Sequence, residues 1–134
     1  MRIQFITSVA IVTPDPASDQ ALFMKPLEAP PGDEYVFSEK IDGSKHLGVW
    51  PLWQTAEACF GTRTWPADRP VPQASIEFDV ESEAAVADAA RELEASASTL
   101  LHGPRTAPWG QTVARMQTHD ATHGPTSDGL RRAD

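Results

Sequence analysis

Residues 2–12 are apolar on both sides of a two-residue repeat. Phe5, Val9 and Ile11 fall on one side and Ile6, Ser8 and Ala10 on the other, which predicts a strand covered on both faces. Pro14-Asp15-Pro16 ends it and opens a helix over about 17–24, stopped by Pro26. Residues 28–33 form a Pro/Gly loop. Two strand-like runs follow, 34–41 and 45–52, and the Asp42-Gly43 pair between them predicts a hairpin. Residues 53–60 give two helical turns before Gly61, and the three prolines in 62–72 mark a connector.

The same order then returns. Strand 73–80 sets Ile76, Phe78 and Val80 on one face and Ser75, Glu77 and Asp79 on the other. Ser82 is the expected N-cap of a helix over 83–95, whose apolar stripe is Val86, Ala89, Ala90 and Leu93. Residues 98–101 and 111–117 are strand-like around a turn holding Pro104, Pro108 and Gly110. The chain therefore reads as two β-α-β-β halves, about 1–61 and 72–116, with a connector over 62–71. Neither half can bury its sheet alone, so the two should pack together within one domain, 1–116. From Thr118 onward Leu130 is the one large apolar residue. That composition predicts a polar, disordered tail over 117–134.

Composition narrows the function. A chain of 134 residues is one domain with a single core. Its formal charge of −8 disfavours nucleic-acid partners and is compatible with a small cationic ligand. No apolar run reaches the ~20 residues that span a bilayer. The opening segment reads as a strand rather than a signal peptide, so the expected compartment is the cytoplasm. The single cysteine, Cys59, excludes an intramolecular disulfide and a cysteine-only metal site, and reads as a packed thiol.

Candidate chemistry is sparse. His119 and His123 have i, i+4 spacing, but HDATH lacks the glutamate of a zinc-protease helix and Gly124-Pro125 follows, so they read as solvated histidines. Four tryptophans, Trp50, Trp53, Trp65 and Trp109, fill a core or line a cavity for a planar or cationic ligand. Glu77 shares a strand face with Ser75, where a carboxylate would orient a cation or act as a base. His46 shares a strand face with Gly48 and Trp50 and is a candidate proton donor. Arg105 and Gln111 flank Trp109, where they could border a cavity mouth. No Ser–His–Asp set can be assembled by spacing, and no glycine-rich phosphate loop is present.

The element order, together with FITSVAIVTPDP, KHLGVWPLWQTAEACFG, WPADRPVPQASIEFDV and LLHGPRTAPWGQTVAR, resembles the vicinal oxygen chelate superfamily over roughly residues 3–116. This is the superfamily of glyoxalases, bleomycin-resistance proteins and extradiol dioxygenases. The resemblance implies an α+β fold of two βαβββ modules around a cavity, and a homodimer. The second module lacks a recognisable closing strand, and a partner subunit would cover the edge left open. In metal-dependent members a divalent cation sits on ligands from the first and last strands of each module. The histidine positions of the opening strands match Ser8 and Ser75 here, and strand 45–52 offers His46 without a carboxylate. Neither serine is a normal ligand for a divalent transition metal.

The resulting expectation is metal-independent binding of a small, partly aromatic or cationic molecule between the modules. Ser8, Phe37, His46, Trp50, Trp53, Ser75, Glu77, Trp109 and Gln111 would contact it, with no catalytic residue and no cofactor. The alternative is a glyoxalase-like lyase or isomerase that uses a divalent metal.

Overall fold

The computed structural model describes residues 1–27, 31–96, 100–107, 110–118 and 121–127. Its elements are β1 (Phe5–Thr13), α1 (Pro16–Asp19) running into a π-helical turn (Gln20–Met24), β2 (Val36–Ser38), β3 (His46–Pro51), α2 (Leu52–Phe60), β4 (Ala74–Asp79), α3 (Glu83–Ala95), β5 (Leu100–Thr106), β6 (Thr112–Gln117) and β7 (Ala121–Ser127). Local signals set several boundaries. The Asp15 carboxylate caps α1 by accepting from the Ser18 amide, with Pro16 in the first turn. Gly43 takes the positive φ that the β2–β3 turn needs, and Gly61 ends α2 in the left-handed region. Ser82 caps α3 through the Ala85 amide at 3.1 Å, as the sequence predicts.

The strands form one mixed sheet in the order β2-β3-β1-β4-β7-β6-β5. β1 and β4 run antiparallel at its centre, with β3 parallel to β1 and β7 parallel to β4. The two halves repeat in register. Ser8 pairs with His46 and Ala10 with Gly48, while Ser75 pairs with Thr122 and Glu77 with Gly124.

This arrangement corrects the reading of the C-terminal segment. The second half does not lack its closing strand: β7 lies between β4 and β6, where an open edge was expected, so the domain runs through residue 127. The argument for a dimer from that open edge goes with it. The hydrophobic pattern hid the strand because β7 contains no large apolar residue. Thr122, Gly124 and Thr126 share the face of Ser75 and Glu77, and both threonines are fully buried. Pro125 forfeits a ladder donor inside a central strand, which ordinarily argues against a strand at all. Among the described residues the shorter half is the first, with three strands against four. Residues 128–134, the rest of the expected tail, lie outside the described residues.

A turn was expected around Pro104, yet β5 continues through it. β5 is the last strand of the sheet and pairs irregularly with β6, which is where proline is tolerated in a strand.

One face of each half is covered by its own helix. Met24 packs with Val36 and Val49 in the first half, and Val86 and Ala90 pack with Val80 and Ala114 in the second. The opposite face is left to the site. α2 touches β1, β3 and β5, two of which lie near opposite ends of the strand order. The sheet therefore curls around α2, and a cluster of Ala56, Cys59 and Trp65 with Leu101 anchors that helix to β5.

Candidate functional site

The curled face encloses a cavity of about 780 Å³, lined by β1, β3 and β4 from the centre, by Arg105, Val113 and Arg115 from the second wing, and by Gln54 and Ala58 of α2. β1 reaches it through a bulge. The β1–β4 register shifts between Ile6 and Ser8, so Thr7 and Ser8 both line the cavity. On β4 the polar alternation is the buried one: Ser75, Glu77 and Asp79 are all buried, while Ile76 and Phe78 are half-buried on the reverse face.

At the centre stands a buried ion pair. Arg115 Nη2 donates to Glu77 Oε1 at 2.8 Å, with side chains only 7% and 9% exposed. Gln111 Nε2 donates to the other carboxylate oxygen at 2.9 Å. The pair spans β7, because the register of Val113 with Thr126 and Met116 with His123 sets Arg115 opposite Gly124, which itself faces Glu77. A Cβ at 124 would run into the backbone of β6 at Ala114.

Two further contacts hold the guanidinium. Its carbon lies 5.2 Å from the Trp50 ring centre, in cation–π range. Its Nη1 donates to His102 Nε2 at 3.2 Å. A guanidinium has no acceptor, so Nε2 carries the lone pair, and the proton sits on Nδ1, which donates to the Gly103 carbonyl at 2.8 Å. His102 is thus held neutral, its pKa pushed down to about 4 by burial, with Arg115 and Arg105 adding to that effect against the Gly103 bond. Because the folded pKa lies below the ordinary 6.5, the unfolded chain binds the extra proton between these values. His102 therefore contributes stability that is present above pH 6.5 and lost as the pH falls toward about 4. Urea titrations across that window should show a shallower acid loss for H102Q than for the unaltered chain. Equal slopes would count against the assignment.

Two smaller groups flank this centre. Tyr35 stacks with Phe37 at 5.4 Å and meets Trp50 edge-on at 6.2 Å, its ring lying over Gly48. Burial, with the charge of Glu77, raises its phenol well above the ordinary value. Asp79 is buried on the same strand face as Ser75 and Glu77 and accepts from Thr7 and Lys45. Cys59 is buried, and burial pushes its thiol up, against the opposing charges of Arg115 and Arg105. That matches a packed, unreactive cysteine.

Of the residues expected to contact a ligand, Ser8, Phe37, His46, Trp50, Ser75, Glu77 and Gln111 line the cavity together. His46 stacks on Phe37 at 4.2 Å and meets Glu39 at 3.1 Å. Trp53 does not line it. It lies on α2 with Arg63 over its ring at 4.9 Å, because the helix turns it away from Gln54 and Ala58. Trp65 is a core residue, its indole donating to the Pro70 carbonyl. Trp109 and His119 lie outside the described residues. His123 is on β7 and meets Thr118 at 3.0 Å, so this histidine belongs to the sheet rather than to a tail. The sequence reading missed Arg115, His102, Tyr35 and Gln54. For Arg115 a signal existed: a lone arginine in the middle of the apolar strand run TVARM needs a buried partner.

The divalent metal implied by the resemblance does not fit these side chains. The matching positions are Ser8, His46, Ser75 and, through the register, Thr122. Hydroxyls are poor ligands for a divalent transition metal, and both oxygens of the nearby carboxylate are engaged by Arg115 and Gln111. Among the described residues no three His, Cys, Asp or Glu side chains gather as a metal-holding group.

No family model matches the chain, and no curated protein matches its sequence. Solved structures do. A methylmalonyl-CoA epimerase variant from Streptomyces coelicolor superposes with a TM-score of 0.58 at 11% identity, covering 99% of this chain and 100% of that one. A glyoxalase/bleomycin resistance protein/dioxygenase superfamily member from Vibrio splendidus gives 0.54 at 14%, covering 95% and 100%. A structure described as an NAD-dependent benzaldehyde dehydrogenase from Legionella pneumophila gives 0.56 at 14%, covering 90% and 96%. At these identities the likeness concerns the fold. With the paired modules and the curled sheet, it establishes that the chain has the vicinal oxygen chelate fold of the glyoxalase/bleomycin-resistance/dioxygenase superfamily.

Proposed function

We propose that the chain binds a small, partly aromatic molecule in the inter-module cavity, noncovalently and without a metal. The cavity volume of about 780 Å³ is in the range of small-molecule sites. Trp50, Tyr35 and Phe37 offer ring faces and edges, and Ser8, Ser75 and Gln111 offer a few fixed polar groups. The observation that carries this reading is the Glu77–Arg115 pair. The central carboxylate is committed to a guanidinium and an amide, which leaves it neither a metal ligand nor a general base. The same pair removes the support for a cationic ligand, because the charge of Glu77 is already matched inside the protein.

The test is calorimetric titration of chelator-treated protein with 2-naphthoate and 2-naphthamide, repeated after adding manganese, nickel or zinc. The expected result is saturable binding of at least one probe, unchanged by metal and accompanied by quenching of tryptophan emission. Binding that appears only with one equivalent of metal would overturn the metal-independent reading. No binding of either probe would overturn the ligand class.

A further inference from the structure

The charges that line the cavity do not cancel. Lys45, Arg105 and Arg115 face Glu39 and Glu77, an excess of one positive charge in a chain whose total is −8. Lys45 is paired with Asp79, Arg115 with Glu77, and Glu39 with His46. Among the described residues no carboxylate pairs with Arg105.

Arg105 and Arg115 also share a wall. Arg105 lies opposite Val113 across the β5–β6 ladder, and Arg115 follows Val113 by two residues on the same strand face. All three line the cavity. Within Arg115 the Nε–H is buried and has no acceptor, although the rest of the guanidinium is held by Glu77, His102 and the Trp50 ring. A buried guanidinium N–H without a partner is rare enough to need an explanation. The Nε–H is shut off from the cavity, so the cation that the wall presents to it is the exposed Arg105.

We propose that the Arg105–Arg115 wall is an anion subsite and that the cavity's ligand carries a carboxylate placed against it. The inference rests on the cavity being the binding site. The aromatic part of the ligand lies toward Trp50, Tyr35 and Phe37, and its carboxylate faces Arg105, with the Arg115 guanidinium behind the same wall. An ammonium group in the same place meets the charge of Arg105, which no carboxylate among the described residues offsets, so the site discriminates by sign as well as by shape.

Calorimetry on the full chain with three matched probes tests this: 2-naphthoate, 2-naphthamide and 2-naphthylmethylammonium. The carboxylate should bind about tenfold tighter than the amide, as a charge-assisted bond implies, with the ammonium weakest. Added salt should weaken the carboxylate more than the amide. Arg105 is exposed, so R105Q should keep the circular dichroism of the parent and bring the carboxylate-to-amide ratio toward one. An amide that binds as tightly as the carboxylate, or a ratio unmoved by R105Q, overturns the subsite and leaves the cavity reading standing. If none of the three probes binds, both fall.

Discussion

R115M will destabilise the folded chain by about 3–5 kcal/mol, the cost of leaving one member of a buried ion pair without its partner. Methionine keeps much of the side-chain length and removes the donors to Glu77 and His102, together with the charge over Trp50. Glu77 then remains under the cavity surface with one amide bond, from Gln111. The double variant E77Q/R115M should recover a good part of the loss, since a neutral amide replaces the stranded charge. Urea denaturation of the parent, both singles and the double measures this as a cycle. A loss under about 1 kcal/mol for R115M at neutral pH, or additive losses in the double, would show that the pair is not the buried lynchpin its geometry describes.

G124A is the second large effect, at about 3 kcal/mol, which for a chain of this size lowers the melting temperature by roughly 10 °C. An added Cβ would come within 1.8 Å of the Ala114 carbonyl oxygen, which is backbone and cannot swing aside. G48A, at the equivalent position of the first half, provides the contrast. Its Cβ meets the Tyr35 ring at 2.4 Å, and a side chain can yield where a strand cannot. G48A should therefore cost less stability than G124A while disturbing the aromatic wall of the cavity. Thermal melts of the two variants side by side decide the matter. Equal losses, or a larger one for G48A, would mean that β7 is not held as tightly between β4 and β6 as its register indicates.

Both predictions fall on residues that the sequence reading did not single out for the site, and the reason is the same in each. Hydrophobic periodicity reports which face of a strand meets an apolar neighbour. On β4 it separated an apolar face, Ile76 and Phe78, from a polar one, and the deeper burial belongs to the polar face of Ser75, Glu77 and Asp79. A polar cavity inverts the pattern, because its wall is buried through hydrogen bonds and ion pairs rather than apolar area. β7 is the extreme case. Thr122, Gly124 and Thr126 face the site, His123 and Pro125 face the other way, and nothing in ATHGPTS signals a central strand. Its place is assigned by two neighbours, β4 and β6, that are themselves correctly patterned.

What the sequence determined by itself was local. Ser82 and the stripe of Val86, Ala89 and Ala90 specified α3, Asp42-Gly43 specified the β2–β3 turn, and Gly61 ended α2, because caps, turns and helical stripes are decided within a few residues of chain. The repeated order was also readable, and with it the resemblance that placed Ser8, Ser75, Glu77, His46 and Trp50 on one cavity. Tertiary structure alone decided which charges meet. Glu77 and Arg115 are 38 residues apart and touch across a third strand, β7, that the hydrophobic pattern did not reveal. That contact turned a carboxylate expected to attract a cation into the counter-ion of an arginine.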